Sequence, residues 1–404
     1  MNSFTITNAK AVTPFEVIEN ASIRIEEGKI TQISRERMND RDEHVINAHG
    51  AFVMPGIIDI HTDALDAEII PRTGADIPIT VAFRELERKM SGCGFTTVYH
   101  SLHLGYESAE LLSRSKYGRD EVFQTVNREI QSKTLLNNKI HLRFELSGIK
   151  AYDSCIEFMD KGYISLLSIM DHTPGQGQFG KDHFIKQLIS QGKTEEQAAR
   201  EHQEKISRPI IKGEKLEALI NHAKKLNIPV ASHDDDTIEK VNYVHSLGVK
   251  ICEFPITLET AHHATQLGMH VIGGATNILR GGSLSGNVNM KEAVLQGAVD
   301  SICSDYYPPA ILHSVFKLYR DERMPLTAAV NLATLNPAKA VGISGQTGSI
   351  ELGKDADLLL VRLNNEVPMV THTFVKGALV AHASPKVTYG VSSTDHKLME
   401  VDAK

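Results

Sequence analysis

The hydrophobic pattern changes twice along the chain. Over residues 3–50 it alternates: Phe4-Thr5-Ile6 and Ser22-Ile23-Arg24-Ile25-Glu26 put apolar and polar side chains on opposite faces, the period of a half-buried strand. Glu27-Gly28 and Asn47-Ala48-His49-Gly50 supply turns between such strands. From about residue 51 the apolar runs become nearly continuous, at 57–60 (IIDI), 96–99 (TTVY), 164–170 (ISLLSIM), 228–231 (IPVA), 249–254 (VKICEF), 270–273 (HVIG) and 299–303 (VDSIC). Strands covered on both faces by helices read this way. Amphipathic helices separate many of them. In residues 214–226, Leu216, Leu219, Ile220 and Ala223 form one stripe, and residues 291–298 and 325–333 are similar. Such alternation predicts an α/β fold, a doubly wound sheet or a barrel.

Residues 181–212 interrupt the rhythm with a polar helical insert, in which Thr194 and Gln197 fit a capping box for a helix at 195–206. An insert of this kind builds a lid or a dimer contact. After residue 347 short strands return, at Gly348-Ser349-Ile350, 357–361 (DLLLV) and 371–381. The expected organisation is a (β/α)8 TIM-like barrel over 51–346 and a small β-sandwich domain formed by both chain ends, 1–50 and 347–404. The polar stretch 384–404 is expected to be loosely ordered.

A chain of 404 residues is long enough for such a barrel and a smaller domain. The four cysteines are scattered without a CxxC pair, which argues against a thiolate zinc site and for buried free thiols. The start, MNSFTITNAK, lacks a basic segment followed by an apolar run, and no apolar stretch approaches the ~18 residues that span a bilayer. These features predict a cytoplasmic protein without a membrane partner. A formal net charge of -7 argues against general nucleic-acid binding. A homo-oligomer, most simply a dimer, is the expected assembly on base rates.

Polar clusters end or follow the apolar runs: His61-Thr62-Asp63, Glu145 in HLRFEL, Asp171-His172, His233-Asp234-Asp235-Asp236, and Ser304-Asp305-Tyr306-Tyr307. In a parallel barrel the strand C-termini open into one mouth, which would gather these residues about a common point. Imidazole and carboxylate suit one or two divalent metal ions, Zn, Mn or Fe. His61 and Asp63, two apart on a strand, share a face. Glu145 could bridge two ions, and His172 and His233 would complete the shells. Asp305 could take a proton from a metal-activated water. Taken singly, each residue also fits a helix cap or a satisfied buried polar group. At least one of Asp234, Asp235 and Asp236 is expected to be only an N-cap. His100 and His103 could line the mouth, whereas His262 and His263 fall on a helix-like stretch and are expected at the surface. Two glycine-rich runs, 273–287 with Arg280 and 174–180, could bring backbone N–H groups to phosphate oxygens.

Met54-Pro55-Gly56-Ile57-Ile58-Asp59-Ile60-His61, and Asn336-Pro337-Ala338 with Gly348 to Leu358, resemble the amidohydrolase superfamily. A narrower resemblance is to the PhnM family of bacterial phosphonate metabolism. It is carried by His61-Thr62-Asp63 with Leu65-Asp66, Met170 to Gln176, Ala231 to Asp235, Glu253-Phe254-Pro255, Asn277, Arg280 to Ser283, Ser285 to Asn287, and Ser304 to Pro308. This resemblance implies hydrolysis of α-D-ribose 1-methylphosphonate 5-triphosphate to the 5-phosphate and pyrophosphate. It implies His61, Asp63, Glu145, His172, His233 and Asp305 as metal ligands, with Asp305 also as general acid/base. A small phosphorylated substrate would meet Arg72, Gln176, Asn277, Arg280, Ser283, Ser285 and Tyr306. Ala64 and Leu284 stand where the family has asparagine and histidine, and Leu146-Ser147-Gly148 replaces its histidine pair after Glu145; these changes bear on the substrate. Two other readings remain: a deaminase or deacylase cutting a C–N bond, and a non-catalytic scaffold.

Overall fold

A computed structural model of the chain describes residues 3–36, 38, 44–72, 74–105, 116–173, 185, 188, 189, 192–283 and 287–384. The N-terminal strands are β1 (Phe4–Val12), β2 (Val17–Glu26), β3 (Lys29–Ser34), β4 (Val45–Asn47) and β5 (Phe52–Pro55). The barrel strands follow: β6 (Ile57–Thr62), β7 (Phe95–Leu104), β8 (Asn137–Glu145), β9 (Ile164–Met170), β10 (Val230–His233), β11 (Ile251–Glu253), β12 (His270–Gly274) and β13 (Ser301–Cys303). The chain returns in β14 (Leu358–Asn364), β15 (Val367–Val375) and β16 (Ala378–His382).

Two eight-stranded sheets result. In one, the chain ends join through antiparallel β5–β14 pairing, and the order runs β16-β15-β14-β5-β1-β2-β3 with β4 beside β1. Alternation on β1 and β2 buries Ile6, Ile23 and Ile25 against Leu358, Leu360 and Phe374. The other sheet runs β13 to β6 in strict neighbour order with every neighbouring pair parallel, as a (β/α)8 barrel requires. A parallel bridge between Thr62 and Asp305 closes it.

The barrel strands are buried on both faces, which explains their continuous apolar runs. Ile58, Ile60, Tyr99, Leu166, Ala231, Ile251 and Ile272 fill the interior. Phe83, Phe95, Phe123, Phe144 and Phe316 lie in the larger core that includes the surrounding helices. The expected stripe Leu216, Leu219, Ile220 and Ala223 is the buried face of the helix Glu214–Lys225. In the insert, Thr194 and Gln197 exchange side-chain-to-backbone bonds of 3.0 and 3.2 Å before the helix Glu195–Ile206. Cys155, Cys252 and Cys303 are buried free thiols, and Cys93 is half-buried. No described helix is long and apolar enough to cross a membrane. Residues 385–404 lie outside the described residues.

Candidate metal centre

Above the apolar filling the barrel mouth turns polar. The closing seam passes through it: Asp305 donates its backbone N–H to the His61 carbonyl (3.1 Å), and Asp63 donates to the Asp305 carbonyl (2.8 Å). Asp234, Phe254 and Asp305, each one or two residues past a strand end, have φ of 53°, 53° and 58°. Left-handed backbone is costly for such residues, most of all for phenylalanine, and it turns the chain sharply at three points around the mouth.

The imidazoles of His61, His172 and His233 converge. The ring centroid of His233 lies 5.6 Å from that of His61 and 6.1 Å from that of His172, with Phe254 packed against His61 and His233. Three groups offer donor atoms within 4.8 Å of one another: His61, Asp63 and Asp305; His172, His233 and Asp234; and His61, His233 and Glu253. Buried His233 Nδ1 and Asp234 Oδ2 lie 3.2 Å apart, and apart from each other neither has a hydrogen-bond partner. Orphaned polar atoms of these types fit a divalent cation.

The electrostatics suit the same role. Burial, reinforced by Arg143, holds the pKa of His61 well below its ordinary value, so it presents a neutral imidazole. Burial, with Asp63 nearby, pushes the Asp305 carboxyl up to about 7. For Asp234 burial acts upward, but His233 and its neighbours outweigh it and the net direction is down.

Glu145 departs from the expected bridging position. Its Oε1 accepts the His172 backbone N–H (3.0 Å) and its Oε2 faces His172 Nδ1 at 2.6 Å, so both oxygens serve to orient His172. The aspartate run contains no helix cap. Thr237 caps the helix Ile238–Ser246 by accepting from Lys240 N, while Asp235 accepts from Ser232 Oγ at 2.5 Å. His103 lies beside the mouth, 4.0 Å from Asp63, but His100 faces outward to Asn138 and Phe83. His262 and His263 lie half-exposed on the helix Leu258–Gln266.

A cavity of about 280 Å³ opens onto these groups. Asn277, Arg280, Ser283 and Tyr306 line it as expected, with Phe254, Pro255, Val288 and Met290 as an apolar wall. Asn277 accepts from Met290 N and donates to the Val288 carbonyl, which ties residue 277 to the chain at 288–290. Arg72 is exposed, in a backbone bridge to Ala75, and does not line the cavity. Gln176 and Ser285 lie outside the described residues.

Two central residues are given no site role by the sequence expectation, although Glu253 stands in one of the motifs that carry the resemblance. Arg143 shares a strand face with Glu145 and places Nη1 2.9 and 3.0 Å from the two Asp63 oxygens. Fully buried Glu253 accepts from Ser168 Oγ (2.8 Å) and lies 3.3 Å from His61 Nδ1 and 3.6 Å from His141 Nε2. The signal available for both was a charged residue inside an apolar strand run, HLRFEL and VKICEF.

The model of the amidohydrolase family matches residues 186–380. The alpha-D-ribose 1-methylphosphonate 5-triphosphate diphosphatase of Escherichia coli (strain K12) is 32% identical over 388 residues, covering 93% of this chain and 99% of that protein. An imidazolonepropionase of Thermoplasma volcanium is 22% identical over 90% of this chain and 91% of its own. Among solved structures, the N-acetylglucosamine-6-phosphate deacetylase of Pasteurella multocida superposes with a TM-score of 0.61 at 13% identity, covering 94% of this chain and 99% of its own. A dihydropyrimidinase of Brevibacillus agri gives 0.59 at 15%, covering 94% and 95%. These structures share the fold. With a relative this similar along nearly its whole length, the chain is a hydrolase that belongs to the amidohydrolase superfamily, in its PhnM family.

Proposed function

We propose that the protein hydrolyses the triphosphate of an α-D-ribose 1-alkylphosphonate 5-triphosphate, leaving the 5-phosphate and releasing pyrophosphate. The observation that carries the reading is the near full-length similarity to the E. coli diphosphatase. The convergence of His61, Asp63, His172, His233 and Asp305 at one mouth supports it. These residues would hold divalent metal, one or two ions of Zn, Mn or Fe, with Glu145 orienting His172. A bound divalent ion lowers the pKa of water toward neutrality and draws charge from phosphoryl oxygens.

The chain's own residues do the rest. Asp305 accepts the proton of the attacking water and returns it to the departing pyrophosphate. The water oxygen stays on the α-phosphorus, and the bridging oxygen leaves with the β-phosphorus. Arg280 and the backbone at Gly282 and Ser283, which line the cavity, meet the phosphate chain. Phe254, Pro255 and Val288 give the sugar an apolar wall. The test is pyrophosphate release from the ribosyl triphosphate by wild type and Asp305→Asn. Loss of a general acid/base is expected to cost roughly 10²–10⁴-fold in rate. Equal rates would remove Asp305 from this role. Turnover of amide or amidine substrates without pyrophosphate release would instead favour a C–N hydrolase.

A further inference from the structure

Of the three donor groups at the mouth, the one formed by His61, Asp63 and Asp305 already faces a cation of the chain itself. Arg143, with 7% of its side chain exposed, is pinned on three sides. Nη1 reaches both Asp63 oxygens, Nη2 lies 3.3 Å from His233 Nε2, and Nε lies 3.2 Å from Met170 Sδ. A guanidinium keeps its charge in a protein, and here it lies against the Asp63 carboxylate. A dication drawn to His61, Asp63 and Asp305 would have to share Asp63 with this fixed positive charge.

The group of His172, His233 and Asp234 is arranged differently. With His233 Nε2 turned to Arg143, His233 Nδ1 faces Asp234 Oδ2 at 3.2 Å, and His172 Nε2 lies 3.9 Å from the same oxygen. Donors bound tetrahedrally at about 2.0–2.2 Å sit roughly 3.3–3.6 Å apart, close to both spacings. His233 Nδ1 and Asp234 Oδ2 are both buried and, apart from each other, lack hydrogen-bond partners. The left-handed backbone at Asp234, φ 53°, aims this carboxylate back toward His233. Resting on the metal-hydrolase reading above, we propose that the centre takes a single divalent ion on His172, His233 and Asp234, with the Arg143 guanidinium fixed where a second ion would stand. The charge that Arg143 places beside Asp63 then serves the phosphoryl oxygens in the role of a second ion.

Metal content tests this apart from activity. Chain stripped with chelator is titrated with ZnCl2 or MnCl2 by calorimetry, then dialysed and assayed by elemental analysis. Wild type is expected to bind one ion per chain. Asp234→Asn keeps a side chain that tolerates the left-handed backbone, and it should weaken that ion at least tenfold. Arg143→Met should bind a second ion, and Arg143→Lys, which keeps the charge, should bind one. Two tight ions in wild type, an unchanged affinity in Asp234→Asn, or a single ion in Arg143→Met overturns the proposal and leaves the hydrolase reading standing. Binding of neither metal by wild type overturns both. Should Arg143→Met fail to fold, wild type and the other two variants still decide the matter.

Discussion

Glu145→Gln separates an orienting carboxylate from a merely buried one. In the structure Glu145 Oε2 faces His172 Nδ1 at 2.6 Å while Oε1 accepts the His172 backbone N–H at 3.0 Å. An ionised carboxylate can only accept, so Nδ1 must carry the imidazole proton and Nε2 keeps its lone pair toward Asp234. Glutamine has one oxygen and one NH2 group. If its oxygen serves the backbone N–H, its NH2 meets Nδ1–H donor to donor. The imidazole then relieves the conflict by moving its proton to Nε2, which removes the lone pair, or by turning away. Partners of this kind are worth about 10–100-fold in metal affinity, or roughly 1.4–2.7 kcal/mol. The assay is competition for Zn2+ against a chromogenic chelator at neutral pH, with thermal unfolding of the chelator-stripped chain as the control. Weaker metal binding without a matching loss of thermal stability is the expected outcome. An affinity equal to wild type would show that His172 does not coordinate through an atom Glu145 controls.

Two further substitutions probe the rim and the frame. Arg280→Ala should raise KM for the ribosyl triphosphate about 10–100-fold, the worth of a charge-assisted bond, with metal content unchanged; an unaltered KM would remove Arg280 from phosphate binding. Gly56→Ala would drive a Cβ into the Thr96 side chain, 2.6 Å from Thr96 Cβ, just before the first barrel strand. Overpacking of this kind costs about 1–3 kcal/mol, read as a lower unfolding midpoint that Thr96→Gly in the same chain should partly restore.

The barrel was legible because doubly covered strands leave unbroken apolar runs, and the ends of those runs marked His61, His172, His233 and Asp305. Pairing of the chain ends followed from alternation in β1, β2 and the last strands. The misses share one cause, which is that periodicity reports burial and not partners. Asp234, Asp235 and Asp236 look like capping residues, yet Thr237 does the capping, because the left-handed turn at Asp234 draws the carboxylates toward the barrel. Glu145 stands at a strand end as a ligand would, but β8 brings it behind His172. Arg72 carries the charge a phosphate needs and is held outside the cavity by a local turn. His100 lies on the outward face of the same strand that brings His103 beside Asp63.

Arg143 and Glu253 show why the mouth needs to be read as one charge system. Asp63, Asp234, Asp305, Glu145 and Glu253 lie there among the imidazoles of His61, His103, His141, His172 and His233, with the buried guanidinium of Arg143 beside Asp63. Burying an ion without a counter-charge costs several kcal/mol. His61 contributes no positive charge, since burial and Arg143 hold its pKa far below neutrality. Arg280 at the rim and Lys240, 3.4 Å from Asp235, add positive charge, but among the described residues the carboxylates outnumber these cations and oppose an approaching triphosphate. A dication beside His172, His233 and Asp234 would reverse the local sign while leaving Asp63 to Arg143. Metal binding and anionic substrate binding should therefore be coupled: affinity for the triphosphate falls when metal is removed by chelation, and metal retention rises when the triphosphate is present. Independent binding of the two would contradict this account of the charges.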